Sequence, residues 1–351
     1  MNKLQKKIKR FQIKLQNWEY WPIWLVYLPV SFYYVYLALK AKSFFFFSAS
    51  NPSIENGGMF FESKWKIFKL IPTEFYPKTI YISENENLEE IIEKIKVSNL
   101  NFPIIAKPDR GERGLGVKKI GDFDELTSYV NLVKVPFLVQ DYIDFPLELS
   151  VFYYRLPNEK KGQLFSVALK DLLSVEGNGI STLLELIYQK DRAFLQLEKL
   201  KKNAQLNFNE ILKKGEIKVI VPYGNHSLGA TFLNYNHLID ENLTEIFDFI
   251  SQQIEGFYFG RFDLRCTSLE DLKNGKNISI LELNGAGAEP AHIYNPNFPF
   301  FKAQKALATY FQKMNQIAIQ NNKNGIPFMS FKEFIKIRKS EKEFKQRINL
   351  E

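Results

Sequence analysis

Three groups of residues have the types and spacing for nucleotide chemistry. The first is FPIIAKPDRGERGLGV, residues 102–117, where an apolar run delivers Lys107 into a loop carrying Gly111, Gly114 and Gly116. Glycines let backbone N–H groups close on phosphate oxygens, and a lysine supplies a point charge. A plain turn would look the same locally. The second is the pair FDLR and ILELN. Strand alternation puts Glu282 and Asn284 on one face, and Asp263 joins them if the two strands are antiparallel neighbours. Two carboxylates and an amide oxygen are hard ligands suited to magnesium shared with phosphates. Any one of them could be a solvated surface group. However, Phe262, Leu264, Ile280, Leu281 and Leu283 surround them, and acids in apolar strands need a reason. The third is FLVQDYIDFPLELSV, residues 137–151. A strand that stops at a polar break leaves backbone groups of Gln140 to Ile143 open to an adenine edge. Glu148 follows, placed to accept from ribose hydroxyls.

The elements that must position these groups can be read in order. Residues 1–20 form a basic amphipathic helix, with Leu4, Ile8, Phe11, Ile13 and Leu15 among lysines. Residues 21–39 carry no charge and are rich in Trp and Tyr, with Pro22 and Pro29 expected to interrupt a helix;. Three arrangements fit this segment: lying on an anionic membrane surface, packing as a buried helix, or spanning a bilayer. SFFFFSAS, residues 43–50, reads as a buried strand. Beyond it come a short helix at KWKIFKLI, a strand at TIYI and an amphipathic helix at NLEEIIEKIKVSN, acidic early and lysine-rich late;. After the lysine strand and its loop, a helix covers 122–133 and strands cover 135–143, 147–156 and 163–170. Ser181 is expected to cap a helix over 181–187, and 190–215 reads as charged and helical. Residues 218–233 read as strand, loop, strand, and 243–254 as a helix. Strands at 257–267 and 277–287, a helix near 301–320 and a basic tail complete the chain.

Composition narrows the class. With 351 residues and 45% hydrophobic content, the chain can bury a sizeable core;. Its net charge of +8 suits an anionic partner such as a nucleotide or acidic lipid, and no nucleic-acid-binding signature is present;. One cysteine, Cys266, excludes an intrachain disulfide and a cysteine-based zinc site;. No signal-peptide pattern is clear. A cytoplasmic protein is expected, peripheral on the inner face of the membrane if the N-terminal segment lies on it.

The order of these pieces resembles the ATP-grasp superfamily, in particular carboxylate–amine ligases such as D-alanine–D-alanine ligase and the ATP-grasp part of cyanophycin synthetase. The resemblance covers about residues 60–300 and implies an α+β fold, two subdomains clamping ATP between antiparallel sheets. A short aromatic N-terminal extension would occupy 1–60. The lysine and lid-loop subdomain would be 61–145, the metal and substrate subdomain 146–325, and the basic tail 326–351. By this resemblance Lys107 contacts the α- and β-phosphates, and Lys64 (with Lys66 as a rival) is the earlier phosphate lysine. Asp109 to Gly116 is a mobile loop over the phosphates, with Arg110 and Arg113 protected from proteolysis by Mg-ATP. Gln140, Tyr142 and Ile143 are the adenine hinge, and Glu148 is the ribose acid. Asp263, Glu282 and Asn284 hold magnesium, or manganese in its place. Arg261 lies near the transferred phosphate. EGNGISTLLELI and YGNHSLGATFLN are similar to two runs of the cyanophycin synthetase branch, which makes Asn225, His226, Ser227 and Gly229 substrate-side candidates; His226 is equally readable as a packed loop residue. Typical members carry a full α/β domain before the first lysine. Here residues 1–60 are basic and aromatic instead, so substrate identity does not carry over.

The implied chemistry is Mg-ATP-dependent ligation. A small carboxylate becomes an acyl phosphate, and an amine acceptor then displaces phosphate. Arg265 and His226 could hold the carboxylate or acyl-phosphate oxygens. The alternative is an ATP-binding regulatory or assembly protein without ligase activity, with a role in making a cell-surface polymer at the membrane.

Overall fold

A computed structural model describes residues 2–112, 114–202 and 206–348. Arg113 of the expected lid loop lies outside the described residues. Helix α1 (Lys3–Gln16) starts on a capping box between Asn2 and Gln5;. Helix α2 (Ile23–Ala41) begins after Pro22 and runs on through Pro29, contrary to the expected interruption. A proline within a helix removes one backbone bond. Packing compensates here, because Val30, Leu37, Ala38 and Ala41 share a buried cluster with Leu307, Tyr310, Phe311 and Met314 of the long helix near the C-terminus. Residues 43–50 are not the expected strand. Phe46–Ala49 forms a 3₁₀ turn whose backbone closes locally, Ser48 N–H to Phe45 O and Ser50 N–H to Phe47 O. Phe46 and Phe47 are buried as expected. The segment then closes on the chain far downstream: Asn51 accepts from the Tyr258 and Phe259 N–H groups and donates to Phe259 O. Gly58 approaches Gly285 so closely that a Cβ would lie 2.6 Å from the Gly285 Cα.

Helix α3 (Lys64–Phe68), β1 (Thr79–Ile82), α4 (Leu88–Val97), β2 (Ile104–Pro108), β3 (Lys118–Ile120), α5 (Phe123–Leu132) and β4 (Phe137–Asp141) follow. The strands form one antiparallel sheet in the order β1-β4-β2-β3. Alternation sends Ile104 and Ala106 to one face, where they pack with Ile91 and Ile95 of α4 and Leu126 and Tyr129 of α5. Lys107, on the opposite parity, leaves by the other face.

A second antiparallel sheet has the order β11-β10-β5-β6-β9. It contains β5 (Leu147–Tyr154), β6 (Gln163–Asp171), β9 (Thr231–Asn234), β10 (Phe259–Cys266) and β11 (Ile278–Asn284). Between β6 and β9, β7 (Leu173–Glu176), α6 (Leu183–Gln189), α7 (Asp191–Leu200) and β8 (Ile217–Val221) make a small separate layer. Two local expectations change there. Thr182, one residue after Ser181, is the N-cap, because its hydroxyl accepts from the Glu185 N–H while Glu185 accepts in return. The helical stretch within 190–215 ends at Leu200. The strand, loop, strand order of 218–233 holds, with β8 pairing to β7 and β9 to β6. Helix α8 (Glu241–Gln252) packs on one face of the large sheet, where Leu149, Val151, Phe262 and Leu264 meet Leu243, Phe247 and Ile250. The opposite face carries the polar residues of β5, β6, β10 and β11. After the short α9 (Leu269–Lys273), α10 (Phe300–Lys323) closes the aromatic end of that face, and Tyr310 packs on Phe152 and Phe259. The expected basic tail is helix α11 (Phe331–Arg347), which opens on a Ser330–Glu333 capping box. It reaches both halves of the molecule: Phe334 packs on Phe45 and Phe60, and Ile348, just past its end, pairs with Val133.

Candidate functional site

Lys107 leaves β2 toward the large sheet and donates to Gln140 Oε1 at 2.9 Å and to Leu281 O at 3.0 Å. Gln140 is oriented by the Thr79 hydroxyl, which accepts from its amide at 2.8 Å. The Gln140 side chain therefore serves the lysine. Leu281 is available because the β10–β11 register slips between the Asp263–Glu282 and Leu264–Ile280 pairs. The slip leaves Leu281 as an extra residue in a bulge, with its carbonyl out of the ladder. Burial pulls the Lys107 ammonium down to about 8, with Glu282 opposing that shift and Lys64 adding to it.

Of the two rival lysines, Lys64 faces the cleft. It donates to Gly111 O at 2.6 Å and lies 3.6 Å from Glu282. Lys66 turns away to Glu55 and is largely exposed. The Asp109 carboxylate accepts from the Ser63 hydroxyl at 2.9 Å and the Trp65 N–H at 2.8 Å, which pins the start of the loop to the first turn of α3. Arg110 is likewise anchored on Glu55 and Phe61 O. Beyond that anchor Gly111, Gly114 and Gly116 all have positive φ, a conformation glycine adopts freely;. A Cβ on Gly114 would lie 3.3 Å from the Asn225 amide nitrogen, so the loop meets the β8–β9 turn.

The large sheet presents a chain of charges. Asp263 accepts from Arg261 Nε and Nη2, both at 3.0 Å, from the Ser150 hydroxyl and from Asn284 Nδ2 at 3.2 Å. Lys170 Nζ stands 3.4 Å from Asp263 and 3.2 Å from Glu148. Burial alone would neutralise Asp263, but Arg261 and Lys170 hold its carboxyl far below the usual range. Glu148 also accepts from Arg265 Nε at 3.3 Å and Nη2 at 3.2 Å, while Arg265 Nη1 donates to Ile143 O at 2.9 Å. Arg265 is thus on the hinge side, beside Glu148. Tyr142 carries Lys119 over its ring at 3.6 Å.

Asp263 and Glu282 are cross-strand partners, and Asn284 is the partner of Arg261 on the next same-face rung. Two carboxylates and an amide oxygen suit a hard divalent cation in donor type, but here both Asp263 oxygens are engaged by Arg261, Lys170, Ser150 and the Asn284 amide. Among the described residues no group of three His, Cys, Asp or Glu side chains is gathered to bind a metal unaided. His226 does not face the cleft lysines. Its Nε2 lies 2.7 Å from Glu19 Oε2, its ring lies beside Tyr20 and Tyr294, and Glu19 also accepts from Arg192 at 2.7 Å. Asn225 caps the turn, accepting from the Ser227 N–H and hydroxyl.

Sequence reasoning missed Lys170, Ser150 and Glu62. Lys170 ends an apolar strand just as Lys107 does, and that shared pattern was its signal. Ser150 lies opposite Asp263 on β5, a pairing visible only in the register. Glu62 is half-buried just before α3, its buried Oε2 has no hydrogen-bond partner among the described residues, and desolvation raises its carboxyl. Lys64, Glu282 and Glu112 surround it electrostatically.

Two antiparallel sheets facing each other across lysines and acids, with a glycine loop between them, define an ATP-grasp fold. Residues 62–151 match the family model of the RimK-like ATP-grasp domain. That span holds Lys64, Lys107, the loop, Gln140 and Glu148, while Asp263, Glu282 and Asn284 lie beyond it. Solved structures similar to this chain include a D-Ala:D-Ser ligase from Enterococcus faecalis (15% identity, 75% of this chain and 61% of that one, TM-score 0.42). A D-alanine–D-alanine ligase from Bacillus anthracis (15%, 74% and 67%, 0.40) and a bifunctional glutathione synthetase from Pasteurella multocida (16%, 71% and 36%, 0.38) are also similar. The chain thus spans little more than a third of the synthetase and under two thirds of the D-Ala:D-Ser ligase. No curated protein matches it in sequence.

Proposed function

We propose that this protein is a cytoplasmic Mg-ATP-dependent ligase that joins a small carboxylate to an amine. The observation that carries the reading is the convergence of Lys64, from α3, and Lys107, from the small sheet, on β11 beside Glu282 and Leu281. Arg261 and Lys170 add positive charge next to Asp263 on the large sheet. These cations, with Arg265, outnumber the carboxylates Glu148, Asp263 and Glu282, which suits a polyphosphate.

In this reading Lys64 and Lys107 bind phosphate oxygens, the loop of Asp109 to Gly116 covers them, and the backbone of Gln140, Tyr142 and Ile143 meets the adenine. Glu148 accepts from the ribose. Asp263, Glu282 and Asn284 hold magnesium or manganese, which when bound neutralises charge on the phosphates. A carboxylate oxygen attacks the γ-phosphorus and ADP leaves. The amine nitrogen then attacks the acyl carbon, phosphate departs, and the amine proton is released. Arg261 neutralises the transferred group, and Asn225, His226 and Arg265 border the substrate end and the hinge. No nucleophilic side chain is required. ADP release by purified protein with a panel of amino acids and short peptides, lost in Asp263→Asn, supports the reading. ATP binding without turnover on any carboxylate overturns it and favours a non-ligase regulatory role.

A further inference from the structure

Two helices outside the cleft expose apolar faces that nothing among the described residues covers. On α1, Leu4, Ile8, Phe11 and Leu15 recur at i, i+4, i+7 and i+11, and all four point outward, Phe11 being 65% exposed;. The reverse face docks α1 to the protein: Ile13 is buried with Phe194 and Leu197 of α7, and Lys9 and Arg10 pair with Asp191 and Glu198. Lys3, Lys7 and Lys14 are exposed and flank the apolar stripe on one side. On α2, Trp24, Leu28, Phe32, Tyr36 and Leu39 form a second exposed row, with Trp24 at 67% and Phe32 at 72%. So many outward aromatic and aliphatic side chains on two consecutive helices exceed what a monomer leaves in water without cause.

We propose that these faces of α1 and α2 dock the protein in the plane of an anionic lipid bilayer. Three observations select this occupant. The flanking lysines complement acidic headgroups. Trp and Tyr on the exposed row are the side chains favoured at the membrane–water boundary. The helix α2 is long and apolar enough to cross a bilayer, yet it is tied lengthwise to α10. Gln304 donates to Val26 O at 2.9 Å and Asn315 to Leu37 O at 3.0 Å. Spanning would strip those bonds and the buried row beneath them, whereas lying on the surface keeps both. The proposal does not rest on the ligase reading.

Flotation of the full-length protein with phosphatidylcholine vesicles, with and without about 30% phosphatidylglycerol, tests it. The protein is expected to float with the anionic vesicles and to be released by raised salt. Trp24→Glu/Phe32→Glu should weaken binding by at least about tenfold, as should Leu4→Glu/Phe11→Glu. Lys3→Glu/Lys7→Glu/Lys14→Glu should abolish the preference for anionic lipid. All are surface positions, and melting by circular dichroism checks that the variants fold. Protein left unfloated by both vesicle types overturns the proposal. Self-association that Trp24→Glu/Phe32→Glu breaks, without flotation, overturns it in favour of a contact between copies. Retention through high salt and dilution overturns the in-plane arrangement.

Discussion

Lys107 Nζ donates to the carbonyl oxygen of Leu281 at 3.0 Å, a contact that crosses from the small sheet to the bulge of the large one. Its other hydrogen-bond acceptor is also neutral, the Gln140 side chain. The ammonium is buried and has no directly bonded carboxylate.

This predicts proton-linked nucleotide binding. Burial lowers the Lys107 ammonium to about 8, against about 10.4 for a free lysine. A bound polyanion favours the charged form. Mg-ATP affinity should be full below pH 8 and fall as pH rises above it. Near pH 8.5 binding should take up a proton, measured by titration calorimetry in buffers of different ionisation enthalpy. Lys107→Met should remove the uptake. For folding the sign reverses: the unfolded chain holds this proton up to about pH 10.4, so the residue's contribution to stability rises between pH 8 and that value.

The two lysines of α3 should separate cleanly. Lys64 lies by Gly111 and Glu282, and Lys66 lies in solvent beside Glu55. Lys64→Met is expected to raise the KM for ATP by about tenfold or more, the loss of a charge-assisted bond. Lys66→Met should change it less than about twofold. Equal effects would show that the lysine assignment is wrong.

Asp263→Asn should cost both turnover and stability. The carboxylate is buried between Arg261 and Lys170, and removing one partner of a buried pair typically costs about 3–5 kcal/mol. Turnover should fall about a hundredfold or more. The stability owed to the depressed Asp263 carboxyl is present above pH 4, the usual carboxylate range, and is lost as pH falls toward its folded value. Acid melts of the variant should therefore be flatter than those of the parent; parallel curves would contradict the pairing.

Glu19 anchors the link between α1 and α2 to the turn carrying His226. Burial works against its charge, but the His226 and Arg192 bonds prevail and lower its carboxyl. Glu19→Gln is expected to destabilise the protein by about 1–3 kcal/mol. Hydrogen exchange at residues 18–21 and 225–229 should rise together. A rise confined to one segment would mean that Glu19 does not couple them.

Several features were legible without coordinates because they depend on local chemistry. Alternation alone placed Glu282 with Asn284 on one side of a strand, and it set Lys107 apart from buried Ile104 and Ala106. The early-acid, late-lysine order marked α4, and the order of lysine, glycine loop, hinge and acids pointed to the ATP-grasp fold. What tertiary structure alone decided were matters of register and distant partners. Nothing within ESKWK distinguishes Lys64 from Lys66 until the first turn of α3, capped by Ser63 and held by Asp109, is seen against Gly111 and Glu282. The bulge that frees Leu281 O, the Ser150 and Lys170 partners of Asp263, and the contact of Arg265 with Glu148 and Ile143 O all arise from strand pairing across long sequence separations. The same holds for residues 21–50. The apolar, aromatic composition of 21–39 allowed a helix on a membrane surface, a buried helix or a membrane span, and 43–50 read as a strand. The buried row against α10 and the exposed row around Trp24 and Phe32 settled a half-buried helix, because burial depends on what packs opposite and not on hydrophobicity alone;.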